Sequence, residues 1–178
     1  MYVASDGTKA DYPKYYHISL DKLAKEQRKL SKMQKGSNNR SKQRVKVARL
    51  HEKVTNQRKD FLHKRSRQIT NAYDCVCIED LDMQGMSQSL HFGKSVADNS
   101  FGTFVSMLDY KLKEQGKRLI KIDRWYPSSK ICSHCGNVKE ELALSERVYV
   151  CDVCGAITDR DYNASINIKK EGMRIALA

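Results

Sequence analysis

Apolar positions recur along this chain in two distinct periods, and the switches between them outline the elements. Tyr2 and Val3 precede Ser5-Asp6-Gly7-Thr8. Because Asp-Gly readily adopts positive φ angles, that opening reads as a strand entering a two-residue hairpin turn. Leu20, Leu23, Ala24 and Leu30 then fall at helical spacing on an otherwise charged segment, until Gly36-Ser37-Asn38-Asn39 breaks the pattern. From about Asn39, the positions Val47, Leu50, Val54, Phe61, Ile69 and Ala72 step by three or four, or by about twice that. This predicts a long second helix lying antiparallel on the first, the two forming a hairpin over residues 18–72.

The period then changes. Tyr73 to Asp80, YDCVCIED, is short, apolar and ends on two acids, which predicts a buried strand. Cys75 and Cys77 alternate with apolar residues there and read as free thiols buried on that strand. A polar loop with Gly85, Ser87, Ser89 and Gly93 follows, then a helix from Phe101 to Gln115 that stops at Gly116, and a strand over residues 118–127. Strand, crossover helix and strand make a βαβ unit, so the fold class is α/β with at least part of its sheet parallel. A short final helix is expected from Asp161 to Lys169.

Charge changes the picture more than composition does. The 178 residues carry a formal charge of +12, and residues 21–70 alone hold 17 basic and 4 acidic side chains. The basicity therefore belongs to the helical hairpin and marks a polyanion-binding face, with nucleic acid the leading partner. The bland alternative is a solvated charged hairpin. No apolar run approaches the roughly 18 residues of a membrane span, and the first residues lack the apolar core of a signal peptide, so the chain reads as cytoplasmic with no membrane partner.

Cys132-x-x-Cys135 and Cys151-x-x-Cys154, with fifteen residues between the pairs, have the spacing of a four-cysteine zinc site. Four thiolates close the Zn²⁺ coordination sphere, so the site is structural and stabilises a ribbon too small to hold a core of its own. Gly136 and Gly155 suit the tight turns, and His134 reads as exposed. The carboxylates are more ambiguous. Glu79 and Asp80 end a strand, where α/β sheets place reactive groups, but acids also simply solubilise strand ends. Asp159 and Asp161 precede the last helix, and Asp161 could serve only as its cap. Acids converging from both places could bind Mg²⁺, which takes oxygen ligands, and with a basic hairpin alongside they compose a metal-dependent nuclease.

Four stretches in order, IEDL (78–81), RWYPSSKICSHCG (124–136), the second cysteine pair and DRDYNASINI (159–168), together with the basic segment, closely resemble the C-terminal part of transposon-encoded TnpB/OrfB proteins. The resemblance implies an RNA-guided DNA endonuclease related to the type V CRISPR effectors, with an RNase H-like RuvC fold, a basic helical hairpin and an inserted zinc ribbon. It implies Glu79 and Asp161 as catalytic carboxylates holding Mg²⁺. Asp161 is preferred to Asp159 because the family's Asp-x-Asn-Ala pattern falls on Asp161, Asn163 and Ala164. Cys132, Cys135, Cys151 and Cys154 would be the zinc ligands, and DNA and guide RNA the partners. The implied domains are a RuvC-like core at 1–128, the ribbon at 129–157 and the final core segment at 158–178. Family members carry a first catalytic aspartate on a strand before the segment matching MYVASDGTK. This chain is therefore expected to be N-terminally truncated, with an incomplete RuvC sheet, completed by an N-terminal fragment or else a non-cleaving zinc-ribbon nucleic-acid-binding remnant.

Overall fold

The computed structural model describes residues 2–82, 85, 100–143 and 145–178. Of the polar loop expected after the first long strand, Ser87, Ser89 and Gly93 lie outside the described residues. The architecture is mixed α/β, in the order β1 (Tyr2–Val3), β2 (Lys9–Ala10), α1 (Tyr15–Ser31), α2 (Asn38–Ala72), β3 (Cys75–Glu79), α3 (Phe101–Glu114), β4 (Arg118–Ile122), β5 (Val148–Val150), β6 (Ile157–Asp159) and α4 (Arg160–Leu177).

β1 and β2 pair antiparallel, Tyr2 opposite Ala10 and Val3 opposite Lys9. The connection is longer than the expected two-residue turn. Ala4 N–H donates to Thr8 O at 2.8 Å, and Asp6 Oδ1 accepts from Thr8 N–H at 2.8 Å. Only Gly7 takes a positive φ, 87°. The aspartate side chain closes the turn by itself, so Asp6 needs no left-handed backbone.

The basic hairpin is real and starts a few residues earlier than expected, at Tyr15. α2 has 35 residues, which at 1.5 Å per residue makes it roughly 52 Å long. Ser37 caps its start, accepting from Arg40 N–H at 3.2 Å. Inside the hairpin the buried Gln43 donates to both Glu26 Oε2 (2.7 Å) and Glu26 O (3.0 Å), and Lys46 pairs with Glu26 at 2.9 Å. These bonds satisfy polar groups that the helix contact removes from water.

The main core lies between α2 and α3: Tyr12, Phe61, Leu62, Phe104, Met107, Leu108 and Leu112. Tyr12 meets Phe61 edge to face at 5.6 Å, a geometry that adds to simple burial. Lys111 is buried in this interface at 2% exposure, donating to Ser66 Oγ (2.7 Å) and His63 O (2.9 Å). Burial pushes its pKa down, because removing an ammonium from water disfavours the charged form.

β3 and β4 are parallel and joined through α3, Cys75 opposite Arg118 and Glu79 opposite Ile122, as the βαβ reading requires. β3 is not the buried strand that its apolar run suggested. Cys75 is exposed and Cys77 half-buried, because among the described residues β3 pairs with β4 alone. The second strand is shorter than the expected 118–127: it ends at Ile122, and Asp123 to Ser128 form a turn. The final helix is twice its expected length, extending to Leu177, because Gly172, Ala176 and their neighbours pack along β3 and β4.

Candidate functional site

The two Cys-x-x-Cys turns have the same local geometry. Gly136 N–H donates to Cys132 O (2.9 Å) and Cys132 N–H to Asn137 O (2.7 Å). In the second, Gly155 N–H donates to Cys151 O (3.0 Å) and Cys151 N–H to Ala156 O (2.9 Å). Gly136 and Gly155 both sit at positive φ, 80° and 69°, which lets the chain leave each turn without a Cβ clash. The four sulfurs lie within 4.8 Å of one another, with Cys132 Sγ 3.7 Å from Cys154 Sγ and Cys135 Sγ 3.6 Å from Cys151 Sγ. A tetrahedron with metal–sulfur bonds of about 2.3 Å has edges of roughly 3.8 Å, so the cluster is already spaced to hold a metal ion. The Cys151 thiol is pulled down to about 6 because the backbone N–H groups of Cys154 and Val153 point at its sulfur. His134 is exposed, as expected. Beneath the cluster Tyr149 is fully buried, its hydroxyl donating to Lys130 O at 3.1 Å.

Two side chains dock the ribbon on α4: Asn163, which the sequence reading used only as part of the family pattern, and Asn167, which it passed over. Asn163 Nδ2 donates to Ile131 O (2.7 Å) while its Oδ1 accepts from Ser133 N–H (2.9 Å). Asn167 Nδ2 donates to Ser128 O (2.8 Å) and Ile131 O (2.7 Å). The sequence signal is the i, i+4 spacing that sets both asparagines on one helical face; in the fold both are essentially without solvent exposure and have to be hydrogen-bonded to something.

The carboxylates divide their tasks. Asp159, at the end of β6, caps α4: its Oδ1 accepts from Tyr162 N–H at 2.9 Å, and its other oxygen meets Lys9 Nζ at 3.1 Å. The Tyr162 bond and then Lys9 hold its carboxyl below the ordinary aspartate value. Asp161 is therefore not the cap that local reading allowed it to be. It lies in the first helical turn with Arg160 Nη2 at 3.2 Å from its Oδ1. Glu79, at the carboxyl end of β3, accepts a short hydrogen bond from the Ser128 hydroxyl. Asp80 beside it is bound by Lys121 Nζ (3.1 Å) and Arg124 Nη2 (3.4 Å), chiefly the lysine holding its carboxyl below the usual range.

Glu79 faces the middle of α4, not its first turn. Gly172 backs directly on Cys77, and Arg118 Nη2 donates to Ala176 O at 3.0 Å, so α4 runs opposite to β3. With about 3.3 Å per strand residue and 1.5 Å per helical residue, Glu79 stands level with Asn167, and Asp161 roughly 10 Å further along the helix. Among the described residues, the one convergent group of three or more potential metal ligands is the four cysteines. No described helix is long and apolar enough to cross a membrane.

Two family models match this chain: "Probable transposase" (OrfB_IS605) over residues 1–90, and "Cas12f1-like, TNB domain" over residues 101–168. A Streptomyces pristinaespiralis protein named "Putative RNA-guided DNA endonuclease" is 43% identical over 169 residues, covering 95% of this chain and 42% of the relative. The mimivirus "TnpB-like protein L79" is 30% identical over 173 residues, covering 94% of this chain and 31% of its own length. In structure, the chain resembles a Cas12f1 chain solved in complex with guide RNA and target DNA, with a TM-score of 0.59 and 21% identity over 90% of this chain and 44% of that one. The chain spans less than half the length of these relatives.

Proposed function

This chain belongs to the TnpB/OrfB family, and from that premise we propose that it supplies the RuvC-like nuclease part of an RNA-guided DNA endonuclease, binding DNA and guide RNA and hydrolysing DNA phosphodiesters. The carrying observation is the division of labour at the start of α4. Asp159 takes the helix cap, so the Asp161 carboxylate is not used as the cap and meets Arg160 beside it, while Ser128 orients Glu79 at the carboxyl end of β3; this arrangement supports the reading of Glu79 and Asp161 as the carboxylates.

In this reading residues 1–128 and 158–178 form the nuclease core and 129–157 the inserted ribbon. The four cysteines hold Zn²⁺ as a structural ion, since their spacing and all-thiolate donor set match its tetrahedral preference. Glu79 and Asp161 offer the hard oxygen donors that suit Mg²⁺. Bound there, Mg²⁺ supplies Lewis-acid activation of water and charge neutralisation at the scissile phosphate. The chain's own part is positional. Ser128 fixes the Glu79 rotamer, Asn163 and Asn167 fix the ribbon against α4, and the exposed Lys and Arg side chains of α1 and α2 hold phosphates. The protein acts in the cytoplasm, at the nucleoid when bound to DNA.

The test is Mg²⁺-dependent nicking of plasmid by the purified chain, alone and with the amino-terminal part of the Streptomyces relative supplied separately. Nicking lost in Glu79→Gln and Asp161→Asn supports the assignment; no nicking in either format defeats it. The exposure of the basic hairpin favours one second reading, a zinc-ribbon module that holds nucleic acid without cutting it. It is distinguished by binding that weakens steeply with salt in the absence of any cleavage.

A further inference from the structure

β4 ends at Ile122, and the chain reverses in a tightly bonded turn. Asp123 Oδ1 accepts from Trp125 N–H at 2.7 Å, Tyr126 N–H donates to Asp123 O at 3.1 Å, and Ser128 N–H donates to Tyr126 O at 2.7 Å. This turn holds Trp125, the single tryptophan of the chain, at 84% exposure. A lone exposed apolar side chain needs no explanation. Trp125, however, forms one wall of a cleft of about 380 Å³ completed by Asp80, Lys121, Ile122, Asp123 and Arg124. The cleft opens at the carboxyl edge of the parallel β3–β4 pair, where α/β sheets take their ligands.

The charges in this cleft are largely paired with one another. Asp80 binds Lys121 and Arg124, and Arg124 also reaches Asp82 at 3.9 Å. Such a lining is poorly suited to a bare phosphate, which calls for excess positive charge. It suits a flat, neutral ring with hydrogen-bonding edges: the indole offers a stacking face, the carboxylates accept from amino and ring N–H groups, and the cations donate to carbonyls. The same turn carries Ser128, whose hydroxyl holds Glu79, three residues beyond the tryptophan.

We propose that Trp125 and the Asp80–Arg124 cleft form a stacking site for an unpaired nucleobase, gripping a single strand next to the Glu79 edge. The inference rests on the nucleic-acid-binding part of the function proposed above. A base inside a duplex already stacks on its neighbours, so the site selects single-stranded nucleic acid.

Because Trp125 is the sole tryptophan of residues 1–178, its emission reports on the site directly in the intact, metal-loaded chain. Single-stranded and duplex oligonucleotides are titrated while the anisotropy of a label on the nucleic acid is followed in parallel. The expected result is quenching of tryptophan emission by the single strand at the concentrations where anisotropy rises. Trp125→Ala should weaken single-strand binding by about 5- to 150-fold, leave duplex binding and the salt slope unchanged, and retain metal content and melting temperature. Trp125→Phe should retain most of the affinity. Binding seen by anisotropy with unchanged tryptophan emission, and with Trp125→Ala equal to the parent, overturns the stacking site while leaving the functional reading intact. Failure of every oligonucleotide to bind overturns both.

Discussion

Ser128 donates its hydroxyl hydrogen to Glu79 Oε1, and its backbone oxygen accepts from Asn167 Nδ2 at 2.8 Å. One buried residue thus joins the carboxyl end of β3, the entrance to the cysteine ribbon and the final helix. Glu79 is oriented by a side chain that the ribbon's docking contacts hold in place, which gives the four-cysteine cluster a mechanical connection to the proposed chemistry.

On the function proposed above, Ser128→Ala should lower Mg²⁺-dependent cleavage by about 10- to 100-fold, the usual cost of removing a group that orients a metal-ligating side chain. Stability should change little, since the bond from Asn167 goes to the backbone of residue 128 and survives. Nicking rates and urea midpoints measured on the same preparation check both halves. A rate loss that scales with lost stability would contradict the orienting role.

Cys151→Ser should abolish stoichiometric metal binding and unfold the ribbon, because a ribbon with only a three-residue hairpin and Tyr149 at its centre has little apolar area to replace the metal. The α2–α3 core has its own cluster and should stay folded. Metal content by elemental analysis and two separate melting transitions are the measurements. A single metal-independent transition would refute it.

Gly172→Ala should destabilise by about 1–3 kcal/mol through overpacking. The added Cβ would lie 2.2 Å from Cys77 Sγ and 2.5 Å from Cys77 Cβ, both inside contact distance. Cys77→Ala in the same chain should restore only part of the loss, since it removes the sulfur but keeps the Cβ. Denaturation midpoints of the single and double variants read this coupling directly.

The cap at Asp159 predicts a pH dependence. Its carboxyl titrates below the ordinary value in the folded state, so its stabilisation is complete above the unfolded aspartate value of about 3.9 and is lost as the pH falls through the lower folded value. Asp159→Ala should cost about 1 kcal/mol at neutral pH and less in acid. Asp159→Asn should preserve most of the cap and flatten this part of the profile. Chemical denaturation at neutral and acidic pH distinguishes the two.

Much of this protein was legible as pattern. The cysteine spacing specified two turns of the same local geometry around one four-sulfur cluster spaced to hold a metal ion, since Cys-x-x-Cys followed by glycine constrains a few consecutive backbone dihedrals. The switch from helical to strand period located α2, β3, α3 and β4 within a few residues. The strand after Gly116 was read five residues too long, because Trp125 and Tyr126 look like strand residues by composition although the Asp123 side chain turns the chain there.

Local sequence determined the hairpin, the parallel βαβ unit, the ribbon and the placement of positive charge on α1 and α2. It offered Asp161 as the possible cap of the last helix, and only the geometry at the end of β6 decided that Asp159 takes the bond from Tyr162 while Asp161 does not. It also made β3 a buried strand, whereas the tertiary arrangement leaves Cys75 exposed. Contacts such as Ser128 to Glu79, or Cys77 against Gly172, join residues 49 and 95 positions apart. Periodicity describes which face of an element is apolar; which partner that face meets is settled by closing long loops, and that information exists only in the folded chain.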